Sequence, residues 1–364
     1  MAFNISAARS TVAPRATVDQ EHESALPDRP STQWKRAARL WAVVLAFVAV
    51  ALVRSAQVGI PFRDPHGAFL VSRVAITAGI FTSLVIVDGL LRARPRGLRN
   101  VVATIRARWD PNRLALAVSA LLAYHVTYFT YHNMKSWNLF NAPHDHMLLT
   151  WDRWLFAGHS PAVLLHDLLG QQTAARVLMV WYESFPTLVL FAFPAAVVFA
   201  PQIRDAYAAI AAFVWVWILG TASYYAIPSL GAFHAAPGEF AGLPHTMIQD
   251  TQARYMGQRA YLLAHPHAPD AFAQVAAFAS LHVGVTAVIL GLAWWHRLRR
   301  TAIVLGVFLA GTMVATVYLG WHFAVDLPAG LFIAALAWVL GPLTVGVLHR
   351  PPAARPDEAG QVTR

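Results

Sequence analysis

The sequence predicts an all-α fold, a polytopic transmembrane bundle of about eight spans, and three observations carry that prediction. Of 364 residues, 57% are hydrophobic and 13% charged, against roughly 25% charged in a soluble domain. The apolar residues fall in runs of about 20, the length that crosses a bilayer. Arginines gather between alternate runs, as they do in cytoplasmic loops.

Taken in order, residues 1–34 are polar and rich in Pro, Ser and mixed charge. They are expected to form a disordered cytoplasmic tail, because no apolar stretch follows a short basic start as in a signal peptide. Spans are expected near 39–58 and 68–91, followed by a basic loop that closes a first region, 35–112. Six more follow near 113–133, 176–199, 206–228, 272–295, 301–321 and 325–347. A second disordered tail covers 349–364.

Loop charge sets the expected orientation. Lys35, Arg36 and Arg39 precede the first span, and Arg92, Arg94, Arg96, Arg99, Arg106 and Arg108 separate the second from the third. Arg297, Arg299 and Arg300 separate the sixth from the seventh, and Arg350 follows the last. With eight spans all of these share one side, so both termini are expected in the cytoplasm and the loops 134–175 and 229–271 outside. The net charge of +10 is thereby assigned to topology and anionic lipid rather than to nucleic acid. The absence of cysteine excludes disulfides, thiolate metal sites and cysteine nucleophiles.

Within "VYLGWHFAVDLPAG", 317–330, His322 and Asp326 stand one helical turn apart. A last span starting near Asp326 puts Pro328 in the first turn, where its missing N–H costs nothing. Asp326 then lies at the positive end of the helix dipole. His322 can give one ring N–H to Asp326 and present the other nitrogen as a nucleophile. The bland alternative is a His and an Asp capping a helix end. "AAFASLHVGVTAV", 276–288, adds Ser280 and His282 at the same expected depth, and ionisable groups in spans are functional-site candidates.

These two segments resemble signatures of the type 2 phosphatidic acid phosphatase superfamily, and more closely its inositolphosphotransferase-like branch, which contains the inositol-phosphoryl-ceramide synthases. That branch's pattern is Ser-Leu-His, then Tyr-Leu-x-x-His-Tyr-x-x-Asp-x-x-x-Gly. Here Ser280, Leu281 and His282 match the first, and Tyr318, Leu319, His322, Asp326 and Gly330 the second, with Phe323 for the tyrosine. "YYAIPSLGAFH", 224–234, resembles the branch's Pro-containing turn, and "DRWLFAGHSPAVLLHDLLG", 152–170, an outer-loop segment of bacterial relatives. The resemblance implies a six-helix core over 113–348, with the first two spans as an extension.

It also implies roles. His322 would attack phosphorus with Asp326 orienting it, His282 would protonate the leaving alcohol and activate the acceptor, and Ser280 would bond a phosphate oxygen. No metal or other cofactor is expected, protein cations and amide dipoles stabilising the transferring group. Three departures stand out. Ala315 and Thr316 occupy the superfamily's Ser-Arg positions, its Lys-and-Arg-Pro motif is absent, and Ala279 replaces the proline common before Ser-x-His. Cations must then come from elsewhere, and the outward candidates are Lys135, Arg153, Arg176, Arg254 and Arg259. Lys135 and Arg259 are favoured for phosphate binding, with Arg254 beside them. Arg153 is expected to pair with Asp152 or lipid.

Tyr124, His125, Tyr128, Tyr131 and His132 put polar tips on the third span, either lining a substrate cleft or forming an interfacial belt. His144-x-His146 and His265-x-His267 lack a third ligand at metal spacing and are expected to be solvated loop residues. The expected function is transfer or hydrolysis of a phosphoryl group on a lipid phosphate ester at the outer face of the plasma membrane. A polyol acceptor and an inositolphosphotransferase come first. A phosphatase acting on polyprenyl phosphate or phosphatidic acid is the alternative. A non-catalytic lipid binder or carrier is the second.

Overall fold

A computed structural model describes residues 29–347, and these are all-α. Helix α1, Pro30–Val58, has proline in its first turn and ends at Gly59 in the left-handed region, φ 66°, a conformation glycine adopts freely. It starts five residues inside the expected tail; the rest of that tail up to residue 28, and the tail 349–364, lie outside the described residues. Helix α2, Val71–Arg92, and the short α3, Leu98–Arg108, complete the first region. Helix α4, Pro111–Trp137, starts on an Asp110 cap that accepts from the Arg113 amide.

Short helices α5, Asp145–Leu155, and α6, Pro161–Leu169, fill the first expected outer loop. Helices α7, Gln172–Glu183, and α8, Phe185–Val198, form one apolar segment, followed by α9, Ile203–Ala226. Helix α10, Met247–Ala264, fills the second outer loop and is opened by a Thr246–Gln249 capping box. Helices α11, Leu281–Trp295, α12, Arg299–Tyr318, and α13, Asp326–Val345, end the described chain.

Among the described residues, seven helical segments are long and apolar enough to cross a membrane. The sixth expected span, 272–295, is helical only over Leu281–Trp295. Upstream, the backbone donors find partners outside any helix. Ala277 N–H donates to the Ser229 carbonyl (3.1 Å), Phe278 N–H to Ser229 Oγ (2.8 Å) and Ala279 N–H to Ser223 Oγ (3.0 Å). A non-helical segment buried in protein is tolerated when its polar groups are satisfied this way.

Helix α9 is the centre of the bundle, packing against α4, α8, α11 and α13. Small residues permit this: a Cβ on Gly341 of α13 would lie 2.6 Å from the Ala212 backbone nitrogen of α9, the close approach typical of helix pairs in membranes. One end of the bundle is basic. There Arg108 pairs with buried Asp88 of α2 (2.9 Å) and donates to the carbonyls of Val198 and Ala200, and Arg113 donates to Ala200 as well. The other end carries the His–Asp pair.

Candidate active site

The α12–α13 turn holds His322 and is fixed from several sides. His322 N–H donates to the Thr316 carbonyl (3.1 Å), Phe233 N–H donates to the Gly320 carbonyl (2.9 Å), and Gln252 Nε2 donates to the Leu319 carbonyl (2.9 Å). Gly231, at φ 119°, lets the 228–234 turn approach so closely that a Cβ there would lie 2.7 Å from the Trp321 carbonyl. The carboxylate of Asp152, from α5, accepts from Ala324 N–H (2.8 Å) and Val325 N–H (2.9 Å). Burial pushes the Asp152 carboxyl up to about 6, a rise limited by those two amides and reinforced by Asp326 and Glu239. The 152–170 segment is tied on again by Tyr318, whose hydroxyl donates to the Gly170 carbonyl (2.7 Å) and whose carbonyl lies 2.9 Å from His166 Nε2.

Helix α13 begins at Asp326, with Pro328 in its first turn. Nδ1 of His322 lies 3.0 Å from Oδ2 of Asp326, which also accepts from Phe323 N–H (3.1 Å). With Nδ1–H given to the carboxylate, Nε2 is the free nitrogen. Ser280 N–H donates to the Asp326 carbonyl (3.2 Å), joining the start of α11 to the start of α13. The contact is so close that a Cβ on Gly330 would collide with the Ser280 carbonyl. Four sequence-predicted residues, Ser280, His282, His322 and Asp326, therefore lie at one level. The two imidazole rings are 5.8 Å apart, centre to centre, and His282 lies between Tyr182 (4.5 Å) and Phe185 (4.4 Å). Ser280 Oγ and Asp326 Oδ1 are buried with no hydrogen-bond partner among the described residues.

His282 and His322 open into a cavity of about 220 Å³, lined also by Lys135, Arg254, Tyr182 and Glu183. Lys135 faces the rings of Tyr131 and Tyr224. Arg259, expected to bind phosphate, does not line it: five residues beyond Arg254 on α10, it points about 140° round the helix. Arg176 is exposed on α7. The expected Arg153–Asp152 pair is absent. Arg153 pairs with Glu239 instead (3.0 Å), while Asp152 is engaged by the turn.

Of the polar tips on α4, Tyr128, Tyr131 and His132 line the cavity. Tyr124 instead stacks on Phe193 (4.0 Å), and His125 bonds Thr77 (3.1 Å) and the Leu121 carbonyl (2.7 Å). Sequence reasoning missed Asp152 as the clamp, and Tyr182 and Glu183 as cavity residues. An acid inside the amphipathic "LLTWDRWLF" was the available signal. Among the described residues no group of three His, Cys, Asp or Glu is placed to hold a metal ion.

The arrangement suits displacement at phosphorus. It has an imidazole held by a carboxylate with one ring nitrogen free, a second imidazole across the cavity, and two flanking cations. A model of the PAP2 superfamily matches residues 146–340, which include all of α5 but Asp145, α6–α12, most of α13 and both His segments, and begin after α4. No curated protein and no solved structure matches the chain. With more than half of its length matched, and with the matched segments converging on one cavity, the chain belongs to the PAP2 superfamily.

Proposed function

We propose that this protein breaks a phosphate-ester bond of a membrane lipid through a phosphohistidine at His322 and passes the phosphoryl group to an alcohol, as an inositolphosphotransferase does. The observation that carries this is the facing pair of imidazoles, 5.8 Å apart, with His322 held by Asp326. Nε2 of His322 attacks phosphorus, the P–O bond to the leaving alkoxide breaks, and His282 delivers the proton that makes it an alcohol. His282 then takes the proton of the acceptor hydroxyl, whose oxygen attacks phosphorus as the P–N bond breaks. Lys135 and Arg254 offset the phosphate charge and Ser280 donates to a phosphate oxygen, so no metal is required.

The same two cations also suit a phosphate monoester with water as acceptor, which is the second reading: a phosphatase for polyprenyl phosphate or a phosphatidic-acid-type lipid. In either case the eight apolar segments cross the membrane, α11 being the short one. The basic end is cytoplasmic, and the cavity opens on the outer face of the plasma membrane. The test is turnover of a phospholipid and polyprenyl-phosphate panel by purified protein in detergent with chelator, with and without a polyol, beside His322→Ala. A new phosphate ester of the polyol that needs His322, a diester from a phospholipid diester and a monoester from polyprenyl phosphate, supports transfer, and free phosphate that needs only His322 supports hydrolysis. Product independent of His322 overturns the phosphohistidine, and lipid movement without product overturns the enzyme reading in favour of a carrier.

A further inference from the structure

The cavity has a second polar end that the phosphoryl chemistry does not use. Tyr128, Tyr131, His132 and Lys135 stand on one face of α4, at the three- and four-residue spacings of a helix, and all line the cavity. Lys135 serves the phosphate, and the others lie beyond it. His132 is 6% exposed, and both of its ring nitrogens are buried without a hydrogen-bond partner. Its ring is held by Phe69 on one side (4.2 Å), with Tyr128 (4.5 Å) and Tyr131 (4.8 Å) edge-on. Trp217 braces both tyrosines, at 5.1 and 4.7 Å. Buried polar atoms in native proteins are satisfied by something, and leaving one orphaned is costly.

The chemistry of the ring says what would satisfy it. A neutral imidazole offers one donor and one acceptor. A phosphate dianion only accepts and matches one of the two nitrogens. A hydroxyl both donates and accepts, so adjacent hydroxyls match both. The tyrosine hydroxyls beside it have the same dual character, and aromatic faces suit the C–H surface of a polyol. The pocket takes its polar groups from α4, with Phe69, outside the family-matched residues 146–340, and Trp217 from within them.

We infer that the His132 end of the cavity is a hydroxyl-recognition subsite, and that His132 selects a neutral polyhydroxylated alcohol as acceptor over water or a simple alcohol. This rests on the proposed displacement at His322, and the experiment separates the two. Purified protein in detergent is given dioctanoyl phosphatidic acid with glycerol, myo-inositol or butan-1-ol, and the ratio of alcohol product to free phosphate is measured for wild type, His132→Leu and His132→Asn. The expected result is a ratio for glycerol or inositol that falls about tenfold in His132→Leu, as the loss of one buried hydrogen bond implies. It recovers in part in His132→Asn, which keeps a donor and an acceptor, and the butanol ratio does not change.

Equal ratios in wild type and His132→Leu overturn the inference, and so does an equal fall for polyols and butanol. A wild type that releases phosphate but makes no alcohol product also overturns it, while leaving His322 chemistry standing. Binding is read separately by saturation-transfer NMR with free inositol and glycerol, on variants whose melting temperature matches wild type. Contact that His132→Leu abolishes sustains the subsite even if no donor in the assay turns over, which would count against the displacement chemistry alone. No contact with either polyol in wild type overturns it.

Discussion

Asp152 gives the most informative perturbation, because it holds the turn that carries His322 without lining the cavity. Its two oxygens accept from consecutive amides, Ala324 N–H at 2.8 Å and Val325 N–H at 2.9 Å, inside protein. Asp152→Ala leaves two partly buried donors unpaired, at up to about 1–3 kcal/mol each. The turn therefore loses up to about 2–6 kcal/mol of local stability. Displacement of the turn carries His322 with it, and a misplacement of about 1 Å costs on the order of 100-fold in rate. Asp152→Asn keeps one acceptor oxygen and is expected to fall between Ala and wild type. The assay is kcat and KM on the lipid substrate, with thermal melting in detergent. A kcat for Asp152→Ala within about twofold of wild type, at an unchanged melting temperature, would refute the clamp.

The same residue carries a pH prediction. Burial pushes the Asp152 carboxyl up to about 6, against about 3.9 in an unfolded chain. As pH falls from about 6 towards 4 the folded protein takes up this proton first, so Asp152 by itself adds to stability over that interval. The protonated carboxyl is a poorer acceptor for the two amides, so activity falls over the same interval. Asp152→Asn gains no proton there, and its deficit against wild type should narrow between about pH 7.5 and pH 5; a constant deficit would contradict the assignment.

Gly330→Ala drives a Cβ into the Ser280 carbonyl and should cost about 1–3 kcal/mol or more in stability, with activity falling further than the melting temperature explains. Lys135→Ala and Arg254→Ala should each lower kcat/KM at least about tenfold, as expected when a charge-assisted phosphate contact is lost, whereas Arg259→Ala should stay near wild type; Michaelis–Menten kinetics on one substrate ranks the three. Arg153→Ala removes an exposed partner of Glu239 and should shift stability by less than about 1 kcal/mol, measurable by melting in detergent.

Much of this was legible along the chain. The spacing of His322 and Asp326, with proline two residues further on, places a helix start and a hydrogen-bonded pair using only local geometry, and α13 begins at Asp326 as expected. The length and apolarity of seven segments follow from the bilayer itself. The start of α11 was not legible, because an apolar stretch in extended form has the same hydropathy as one in helical form. What unwinds 276–280 is the pair of serines, Ser223 and Ser229, on another part of the chain. Asp152 was misassigned for the same reason. Its neighbour in sequence is Arg153, but its partners lie at Ala324 and Val325, across the fold. Arg259 was favoured from loop position alone, and only the helical register of α10 separates it from Arg254.

The central claim is that phosphorus passes through His322. The direct measurement is capture of the phosphoenzyme: His282→Ala, which is expected to slow release of the intermediate, is mixed with a nitrophenyl ester of a lipid phosphate, whose leaving group needs no proton from His282, quenched in alkali and mapped by mass spectrometry. The account predicts an acid-labile, alkali-stable phosphate on His322, absent from His322→Ala. Turnover of the same lipid with no phosphate on His322, or with the label on another residue, would contradict it.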